Sequence, residues 1–372
     1  MYNSCNGAYA LFINNSLPSL AMQKGDTMTN KAVFLAGINR LETREVPMPK
    51  IKDDEVLVKI EYVGICGSDV HYFENGRIGD FIVTNDMILG HECAGVVEKI
   101  GSKVKTLKVG DKVALEPGLT CGQCEYCRSG KYNLCPDVEF FATPPCHGCL
   151  MNYVAHPESM AFKLADNMST KDGALVEPFA VGIHAANLGE VKLGSSAIIL
   201  GAGCIGLMTL AACRAMGAGD VTVVDVIAKR LDAAKKLGAT RVFNARTQDV
   251  EEELLAVTGG KGVEIVFETA GTVETIRQSP YLVARGGKIV LVGMAPQDII
   301  PFDIAKILAK EASIVTVFRY RNIYPQAISA ISSGATDISG MVTHEFGFEE
   351  TAKAFDYVIE NKEDIVKAVI RI

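Results

Sequence analysis

Four cysteines fall within fifteen consecutive positions of the sequence, at the spacing C-x2-C-x2-C-x7-C: they are Cys121, Cys124, Cys127 and Cys135. The set offers only thiolates, and four thiolates saturate a tetrahedral zinc ion without leaving a position for substrate. An iron–sulfur cluster is the alternative, since a Cys-Pro pair also ends such runs in ferredoxins, although those have a shorter final spacing. The spacing therefore favours a structural zinc site, and any chemistry is expected elsewhere.

A second group of metal-binding residue types lies in the stretches GICGSDVH and LGHECAG. Cys66, His91 and Glu92 would supply one thiolate, one imidazole and one carboxylate. A mixed set of three protein ligands leaves a coordination position for water or substrate, which is the arrangement of a catalytic zinc ion. Each residue alone is a modest signal, because a single histidine or a buried cysteine more often serves the fold.

A glycine pattern follows the apolar run SAIIL, where Gly201-x-Gly203-x-x-Gly206 opens the next helix. The first glycine permits a tight turn, the second lets the backbone approach a pyrophosphate, and the third allows helix and strand to pack closely. The next strand ends in Asp225, about twenty residues on, as the dinucleotide-binding fingerprint requires. A carboxylate there hydrogen-bonds the ribose hydroxyls and repels a 2′-phosphate, so the sequence predicts NAD rather than NADP.

Two basic residues, Lys229 and Arg230, follow Asp225. They could hold the 2′-phosphate of NADP, whereas the simpler interpretation places them on a solvated helix face or beside the adenine. The predicted cofactor-binding set is Gly201, Gly203, Ile205, Gly206, Asp225 and Arg230.

The candidate site residues lie in two regions of the sequence that differ in their pattern of apolar residues. Residues 31–157 contain short β-branched segments between glycine turns, such as EVLVKIEYVGI, which predict strands. From residue 171 onwards apolar strands and helices alternate, which predicts a doubly wound parallel sheet, and Ser169 or Thr170 is the expected N-cap of the first helix. After residue 319 the chain returns to a helix and short strands, so the α/β block is expected to be inserted into a first domain that the C-terminus completes.

Composition narrows the possible partners. The 372 residues suffice for two domains, and a net charge of −7 provides no basic platform for nucleic acid or anionic lipid. No apolar run reaches the ~18 residues that span a bilayer. Eleven cysteines without a secretory signal indicate a reducing, cytoplasmic environment. The acidic composition therefore favours a small-molecule substrate. Separately, residues 1–27 are expected to be a flexible tail or to precede a natural start at Met28.

The motifs resemble those of the zinc-dependent medium-chain dehydrogenases, most of all the sorbitol (L-iditol) and xylitol dehydrogenase branch. The zinc signature is present as Gly90-His91-Glu92-x-x-Gly95, and the stretches GICGSDVHYFENGRIGDF, KYNLCP, FFATPP, GALVEPFAVGIHA and VFRYRN follow the same order as in that branch. The resemblance implies an α/β fold: a GroES-like, β-rich catalytic domain over residues 28–179 and 320–372, with an inserted Rossmann domain over residues 180–319.

The resemblance also implies an activity. It is the reversible, NAD-dependent oxidation of a secondary alcohol of a polyol to a ketose, of the L-iditol 2-dehydrogenase or D-xylulose reductase type, with two zinc ions per chain. The catalytic zinc would be held by Cys66, His91 and Glu92, and Glu177 would be a fourth ligand or would hydrogen-bond the zinc-bound water. The alternative for Glu177 is a first-turn carboxylate that the helix dipole favours.

The remaining roles implied by the resemblance concern the proton and the substrate. Ser68 would accept the hydroxyl proton and pass it through the cofactor ribose towards His71, while Tyr72, Arg319 and Tyr320 would hydrogen-bond the polyol. An ordinary interdomain ion pair is the alternative for Arg319. Family members commonly form homodimers or homotetramers, and the strand candidates GGKIVLVGM and ASIVTV could supply the sheet edge for such pairing.

Three alternatives remain open at this point. Threonine or 2,3-butanediol dehydrogenase would share the zinc and the cofactor, and a zinc-stabilised binding protein without turnover is the remote possibility. The run Cys146-His147-Gly148-Cys149 replaces the acidic residue that many relatives carry after ATPP, and we interpret it as a loop cluster rather than a further metal site.

Overall fold

The computed structural model describes residues 29–372, so the expected tail over residues 1–27 lies outside the described residues. The first part of the chain is built mainly of short strands, as its β-branched texture predicts. These strands are β1 (Asn30–Gly37), β2 (Arg40–Val46), β3 (Glu55–Ile65), β4 (Arg77–Ile78), β5 (Phe81–Ile82), β6 (Met87–Ile88), β7 (Glu92–Ile100), β8 (Lys112–Leu115), β9 (Gly118–Leu119), β10 (Glu139–Phe140), β11 (Tyr153–Pro157) and β12 (Ala161–Lys163). Its helices are α1 (Gly67–Asn75), α2 (Glu125–Arg128) and α3 (Thr170–Ala174).

The middle of the chain alternates helices and strands. In chain order these are α4 (Val176–Leu188), β13 (Ser196–Leu200), α5 (Cys204–Ala215), β14 (Asp220–Asp225), α6 (Ala228–Lys236), β15 (Arg241–Asn244), α7 (Val250–Val257), β16 (Val263–Glu268), α8 (Val273–Leu282), β17 (Val283–Leu291), α9 (Ile304–Lys310) and β18 (Ser313–Thr316). The chain then closes with α10 (Tyr324–Ser332), β19 (Val342–Gly347), α11 (Thr351–Glu360) and β20 (Lys367–Arg371).

Two large sheets follow from these elements. Strands β13 to β18 form a six-stranded sheet in the order β15-β14-β13-β16-β17-β18, in which every neighbouring pair is parallel. This is the doubly wound order, which reverses at β13 and leaves a crevice at the carboxyl ends of the strands. The other sheet has the order β12-β8-β7-β3-β20-β19, and β11 also pairs with β3. The predicted fold class, a β-rich domain combined with a Rossmann-type parallel sheet, is confirmed.

Strand β20 joins the two ends of the chain. It runs antiparallel to β3, with Ala368 opposite Ile65. This register places the last strand beside the residues that immediately precede α1. The predicted return of the C-terminus to the β-rich sheet is therefore present, and it carries C-terminal side chains to the site.

The helical stretch after residue 168 differs in detail from its prediction. Ser169 is the N-cap, and it forms a capping box in which its hydroxyl accepts a hydrogen bond from the Asp172 backbone N–H while Asp172 accepts one from the Ser169 N–H. The stretch is two helices instead of one, because α3 ends before Leu175. Pro178 would clash with the carbonyl four residues earlier in a continuous helix, but it is tolerated in a first turn, where backbone N–H groups lack helical partners. The restart places Glu177 at a helix N-terminus.

Helices α4 and α10 occupy the junction between the two sheets. One buried cluster contains Ala94 and Ala114 of the β-rich sheet, Phe179 of α4, Ile199 of β13 and Tyr324 of α10. Burial of this continuous apolar surface stabilises both sheets against each other. In the part of the chain that the structure describes, no helix is long and apolar enough to cross a membrane.

Candidate active site

The structure brings Cys66, His91 and Glu92 together, with their ligand atoms within 4.8 Å of one another. Cys66 is the N-cap of α1 directly after β3, and Glu92 begins β7 opposite Gly64 of β3. A Cβ atom on Gly64 would lie 1.9 Å from Glu92 Oε2, so only glycine leaves room for the carboxylate. One sulfur, one nitrogen and one carboxylate ligand at this spacing fit a catalytic zinc ion with an open coordination position.

Asp69 holds two of these segments in place, and the sequence reading missed it. Its Oδ2 accepts a hydrogen bond from the Cys66 N–H at 3.0 Å, and its Oδ1 accepts one from the Gly90 N–H at 2.9 Å. Oδ1 also lies 3.6 Å from His91 Nδ1. Burial alone would raise the pKa of Asp69, but His91 and the two N–H donors hold that pKa below its usual value. The sequence did contain one signal for Asp69. It is the third residue of a helix whose N-cap is Cys66, a position typical of a capping box.

Lys367 is the second residue that the sequence reading missed. From the first position of β20 its Nζ lies 2.7 Å from both carboxylate oxygens of Glu92, and it donates a hydrogen bond to the Ile65 carbonyl at 3.1 Å. Both side chains are almost completely buried. Glu92 and Lys367 are 275 positions apart, so no local sequence pattern predicts their contact. The lysine compensates a carboxylate charge that would otherwise be costly in this interior.

Glu177 faces the same centre from α4. Burial raises the pKa of Glu177 to about 7, while the charges of His91 and Lys367 lower it and that of Glu92 raises it. Cys204, the first residue of α5, also lies within electrostatic reach of Glu92 and Lys367, and burial raises the pKa of its thiol to about 12. Helix α4 at the junction and helix α5 of the parallel-sheet half thus bring side chains within electrostatic reach of the metal-binding group.

The three residues predicted to bind substrate are Tyr72, Arg319 and Tyr320, and they lie near the metal-binding group and Glu177. Burial raises the pKa of Tyr72 to about 12, against the opposing charge of Arg319. The Arg319 guanidinium stacks over the Phe140 ring at 4.0 Å, and burial lowers the pKa of Arg319 to about 10. Within residues 29–372, Arg319 Nη1 and the Tyr320 hydroxyl are buried without a hydrogen-bond partner. The alternative role for Arg319, an interdomain ion pair, is not present in the described chain, because no acidic group lies within ion-pair distance of its guanidinium.

The predicted proton-relay residues lie on one helix. Ser68 and His71 are three positions apart on α1 and therefore on neighbouring surface of that helix. Ser68 is half-buried, and His71 is exposed to solvent. The two residues thus differ in exposure, with His71 the one open to solvent.

The glycine pattern has the geometry that each position requires. Gly201 has φ +103°, in the region that favours glycine, and a Cβ atom on Gly206 would lie 1.9 Å from the Gly201 carbonyl oxygen. A Cβ atom on Gly203 would meet nothing within 4 Å, so its surface is open for a ligand. Half-buried Ile205 follows in the first turn of α5. These features fit the approach of a pyrophosphate to the N-terminus of α5.

Asp225 is held beside this loop. Its Oδ2 accepts a hydrogen bond from the Ala202 N–H at 2.7 Å, and its Oδ1 accepts one from the Ile227 N–H at 2.9 Å. Arg230 Nη1 lies 4.0 Å from Asp225, and Arg230 Nη2 donates to the Lys362 carbonyl at 2.6 Å. Lys229 is paired with Asp364. Both basic side chains thus already interact with other groups of this chain.

The four cysteines of the run converge in a lobe that we call the four-cysteine lobe (residues 121–135), with their sulfur atoms within 4.8 Å of one another. Three of the sulfur–sulfur distances are 3.5, 3.6 and 3.9 Å. Four thiolates at about 2.3 Å from zinc form a tetrahedron with edges of about 3.8 Å. Backbone N–H groups of Gln123 and Cys124 lower the pKa of Cys121 to about 7. The lobe therefore fits a structural zinc ion.

The Cys146-His147-Gly148-Cys149 run does not form a third group of this kind within the described residues. His147 Nδ1 accepts a hydrogen bond from the Ile88 N–H at 3.2 Å, and Cys149 is buried in the core. Cys146 contributes to the electrostatic environment of Arg319. This segment forms one wall of the site rather than a metal centre.

Comparison with known proteins supports this geometry. The family model of the alcohol dehydrogenase GroES-like domain matches residues 52–166, and that of the zinc-binding dehydrogenases matches residues 204–333. An uncharacterised zinc-type alcohol dehydrogenase-like protein of Escherichia coli is 52% identical over 349 residues, covering 92% of this chain and 99% of that protein. Sorbitol dehydrogenase of Bacillus subtilis is 44% identical over 340 residues, covering 91% of this chain and 96% of that enzyme.

A solved structure gives the same result. The crystal structure of an Escherichia coli oxidoreductase of unknown specificity, described as involved in membrane biogenesis, superimposes with a TM-score of 0.90 at 51% sequence identity. The match covers 93% of this chain and 99% of that one.

Proposed function

This chain belongs to the zinc-dependent medium-chain alcohol dehydrogenase family, and on that basis we propose that it oxidises a secondary hydroxyl group of a polyol to a ketose with NAD. The observation that carries the proposal is the convergence of three polar pocket residues on the metal-binding group. Glu177 is within electrostatic reach of His91 and interacts with Tyr320. Within residues 29–372, Arg319 Nη1 and the Tyr320 hydroxyl are buried and have no partner at hydrogen-bond distance. Buried polar atoms without protein partners are suited to a ligand that carries several hydroxyl groups.

Each group has a chemical task in this proposal. Cys66, His91 and Glu92 would hold zinc, whose Lewis acidity would lower the pKa of a bound hydroxyl group, and NAD would supply the hydride acceptor. Ser68 would accept the proton of the substrate hydroxyl while it releases its own hydroxyl proton towards His71, and the exposed His71 would pass a proton to solvent. The cysteine lobe would hold the second zinc ion. Because both thiolate sites require reduced cysteines, we place the reaction in the cytoplasm.

The polyol would be oriented by hydrogen bonds from Tyr72, Arg319 and Tyr320. The guanidinium offers several donors in a fixed plane, and its stacking on Phe140 restricts its rotation. A rigid donor group loses little entropy when a flexible polyol binds. These features support a substrate with more than two hydroxyl groups, which distinguishes a polyol from threonine, with one hydroxyl group, and from 2,3-butanediol, with two.

The reaction class is tested by initial rates of NADH formation with sorbitol, xylitol, galactitol, L-iditol, L-threonine and 2,3-butanediol, with and without a zinc chelator. NADP is assayed in parallel. We expect chelator-sensitive NADH formation with at least one polyol. Turnover of threonine or butanediol alone would retain the zinc and cofactor chemistry but overturn the polyol assignment of Tyr72, Arg319 and Tyr320.

Asp225→Ala should weaken NAD binding about tenfold and narrow the preference for NAD over NADP. The variant loses a carboxylate placed to accept hydrogen bonds from the ribose hydroxyls and to repel a 2′-phosphate. Dissociation constants measured by fluorescence titration of both cofactors check this. Asp232→Ala is the matched control, because Asp232 lies on the exposed side of α6 and, among the described residues, pairs only with Lys235. An unchanged NAD affinity in Asp225→Ala would refute the assigned role.

We also propose that the protein forms a homodimer or homotetramer through the edge of the parallel sheet. β18 is the last strand of that sheet, and its free edge lies near exposed apolar side chains. Ile304, Leu308 and Ile314 are 54%, 76% and 39% exposed. An apolar sheet edge of this kind is a suitable surface for pairing with a second copy across a two-fold axis. Sedimentation velocity of the intact protein tests the assembly.

A further inference from the structure

The substrate residues Arg319 and Tyr320 lie on a short segment between β18 and α10, which we call the 318–322 turn. Arg319 has φ +55° and Asn322 has φ +57°. This left-handed region is disfavoured for residues other than glycine, and for a long side chain such as arginine more than for asparagine. A turn with two such residues keeps its shape only if contacts around it determine that shape.

Those contacts come from the four-cysteine lobe. Asn133 Nδ2 donates to the Phe318 carbonyl at 2.8 Å, and Asn133 Oδ1 accepts from Arg321 Nη1 at 3.0 Å. The Asn322 backbone N–H donates to the Tyr132 hydroxyl at 2.7 Å. Asn322 Nδ2 donates to the Gly130 carbonyl at 3.0 Å. Four hydrogen bonds therefore connect the lobe to both ends of the turn that carries Arg319 and Tyr320.

The lobe side of this connection is itself fixed. The Tyr132 hydroxyl donates to Glu116 Oε1 at 2.7 Å while it accepts from Asn322, so its direction is set from both sides. Asn133 is only 4% exposed and lies two residues before the ligand Cys135. The two hydrogen bonds of Asn133 therefore have few alternative partners in water, whereas the two made by Asn322 lie at the exposed end of the turn.

We propose that Tyr132 and Asn133 are positioning residues for substrate, and that the four-cysteine lobe serves to hold the 318–322 turn so that Arg319 and Tyr320 face the Cys66–His91–Glu92 group. The lobe then contributes to substrate affinity, although none of its cysteines belongs to the catalytic group. The kinetic part of this inference rests on the proposed polyol oxidation.

Tyr132→Phe tests the proposal, because it removes the hydroxyl and leaves the ring. We expect the KM for the polyol to rise about tenfold, since one hydrogen bond to the turn is lost and a backbone N–H is left without its partner. The KM for NAD and the zinc content should stay close to those of the wild type, while the melting temperature should fall, because buried Glu116 Oε1 loses its hydrogen-bond donor. Tyr126→Phe is the matched control: Tyr126 lies on the same lobe between two cysteine ligands, is 37% exposed, and its hydroxyl makes no hydrogen bond within the described chain.

Hydrogen–deuterium exchange provides a readout that does not depend on turnover. Peptides that cover the 318–322 turn should exchange faster in Tyr132→Phe and in Asn133→Ala than in the wild type, and at the wild-type rate in Tyr126→Phe. Unchanged exchange in the turn together with an unchanged polyol KM in Tyr132→Phe would overturn the proposal. A fall in kcat and zinc content at constant KM would also overturn it, because it would show that Tyr132 only supports the lobe. If the wild type oxidises no polyol, the proposed function is wrong. Faster hydrogen–deuterium exchange of the 318–322 turn in Tyr132→Phe and Asn133→Ala would still show that these residues hold the turn.

Discussion

Cys66→Ala should lower kcat roughly a thousandfold while leaving the fold intact. The thiolate is one of three ligands in the group formed with His91 and Glu92. Losing the zinc ion that this group would hold removes several kcal/mol of stabilisation from the developing charge on the substrate oxygen, which corresponds to about three orders of magnitude in rate. NADH formation at saturating substrate measures kcat, and elemental analysis should show one zinc ion per chain instead of two.

Cys213→Ala is the control for that experiment. Cys213 is a buried cysteine near the end of α5, in the apolar core, and it belongs to neither of the two candidate metal-binding groups. This variant should retain both zinc ions and near-normal kcat at a small cost in stability. Full activity of Cys66→Ala would show that the catalytic metal site has been assigned to the wrong residues.

In protein from which zinc has been removed by a chelator, Lys367→Met should lower the free energy of unfolding by about 3 kcal/mol. The substitution leaves the Glu92 carboxylate in the interior without the cation that contacts both of its oxygens. An uncompensated buried charge is one of the costliest single changes in a protein, whereas removal of both charges together is often nearly neutral. Urea denaturation followed by circular dichroism measures the change.

The double variant Glu92→Gln/Lys367→Met separates charge from packing. It should recover much of the stability lost in Lys367→Met, because no unpaired charge then remains buried. Lys362→Met is the surface control, since Lys362 is largely exposed and lies 4.0 Å from Glu74. Stability of Lys367→Met within about 1 kcal/mol of the wild type would contradict the role assigned to the pair, because isolated exposed pairs contribute no more than this.

Local patterns were sufficient for the parts of the site whose chemistry depends on residue type and spacing. The four cysteines at C-x2-C-x2-C-x7-C come together because the loop between them is short. The glycine pattern is similar, because a tight turn between one strand and the next helix is a property of a few consecutive residues. Ser169 was recognisable as an N-cap for the same reason.

Other features depend on pairings that no local pattern encodes. The contact of Lys367 with Glu92 exists because β20 runs antiparallel to β3 in one particular register. The break between α3 and α4 depends on Pro178, and it was missed because the apolar periodicity continues across it. Asp69 carries a modest cap signal, but its proximity to Gly90 arises only when α1 and the segment before β7 meet.

The sequence by itself determined the ligand types, the dinucleotide-binding loop, the acidic residue after the second parallel strand and the two-part architecture. Each of these follows from residues that are close in the chain or from the periodicity of single elements. Only the tertiary structure decided which side chains surround the candidate ligands, and that the four-cysteine lobe is hydrogen-bonded to the turn carrying Arg319 and Tyr320. The physical reason is that such contacts join residues more than 180 positions apart, whose approach is set by strand register and by the packing of two domains.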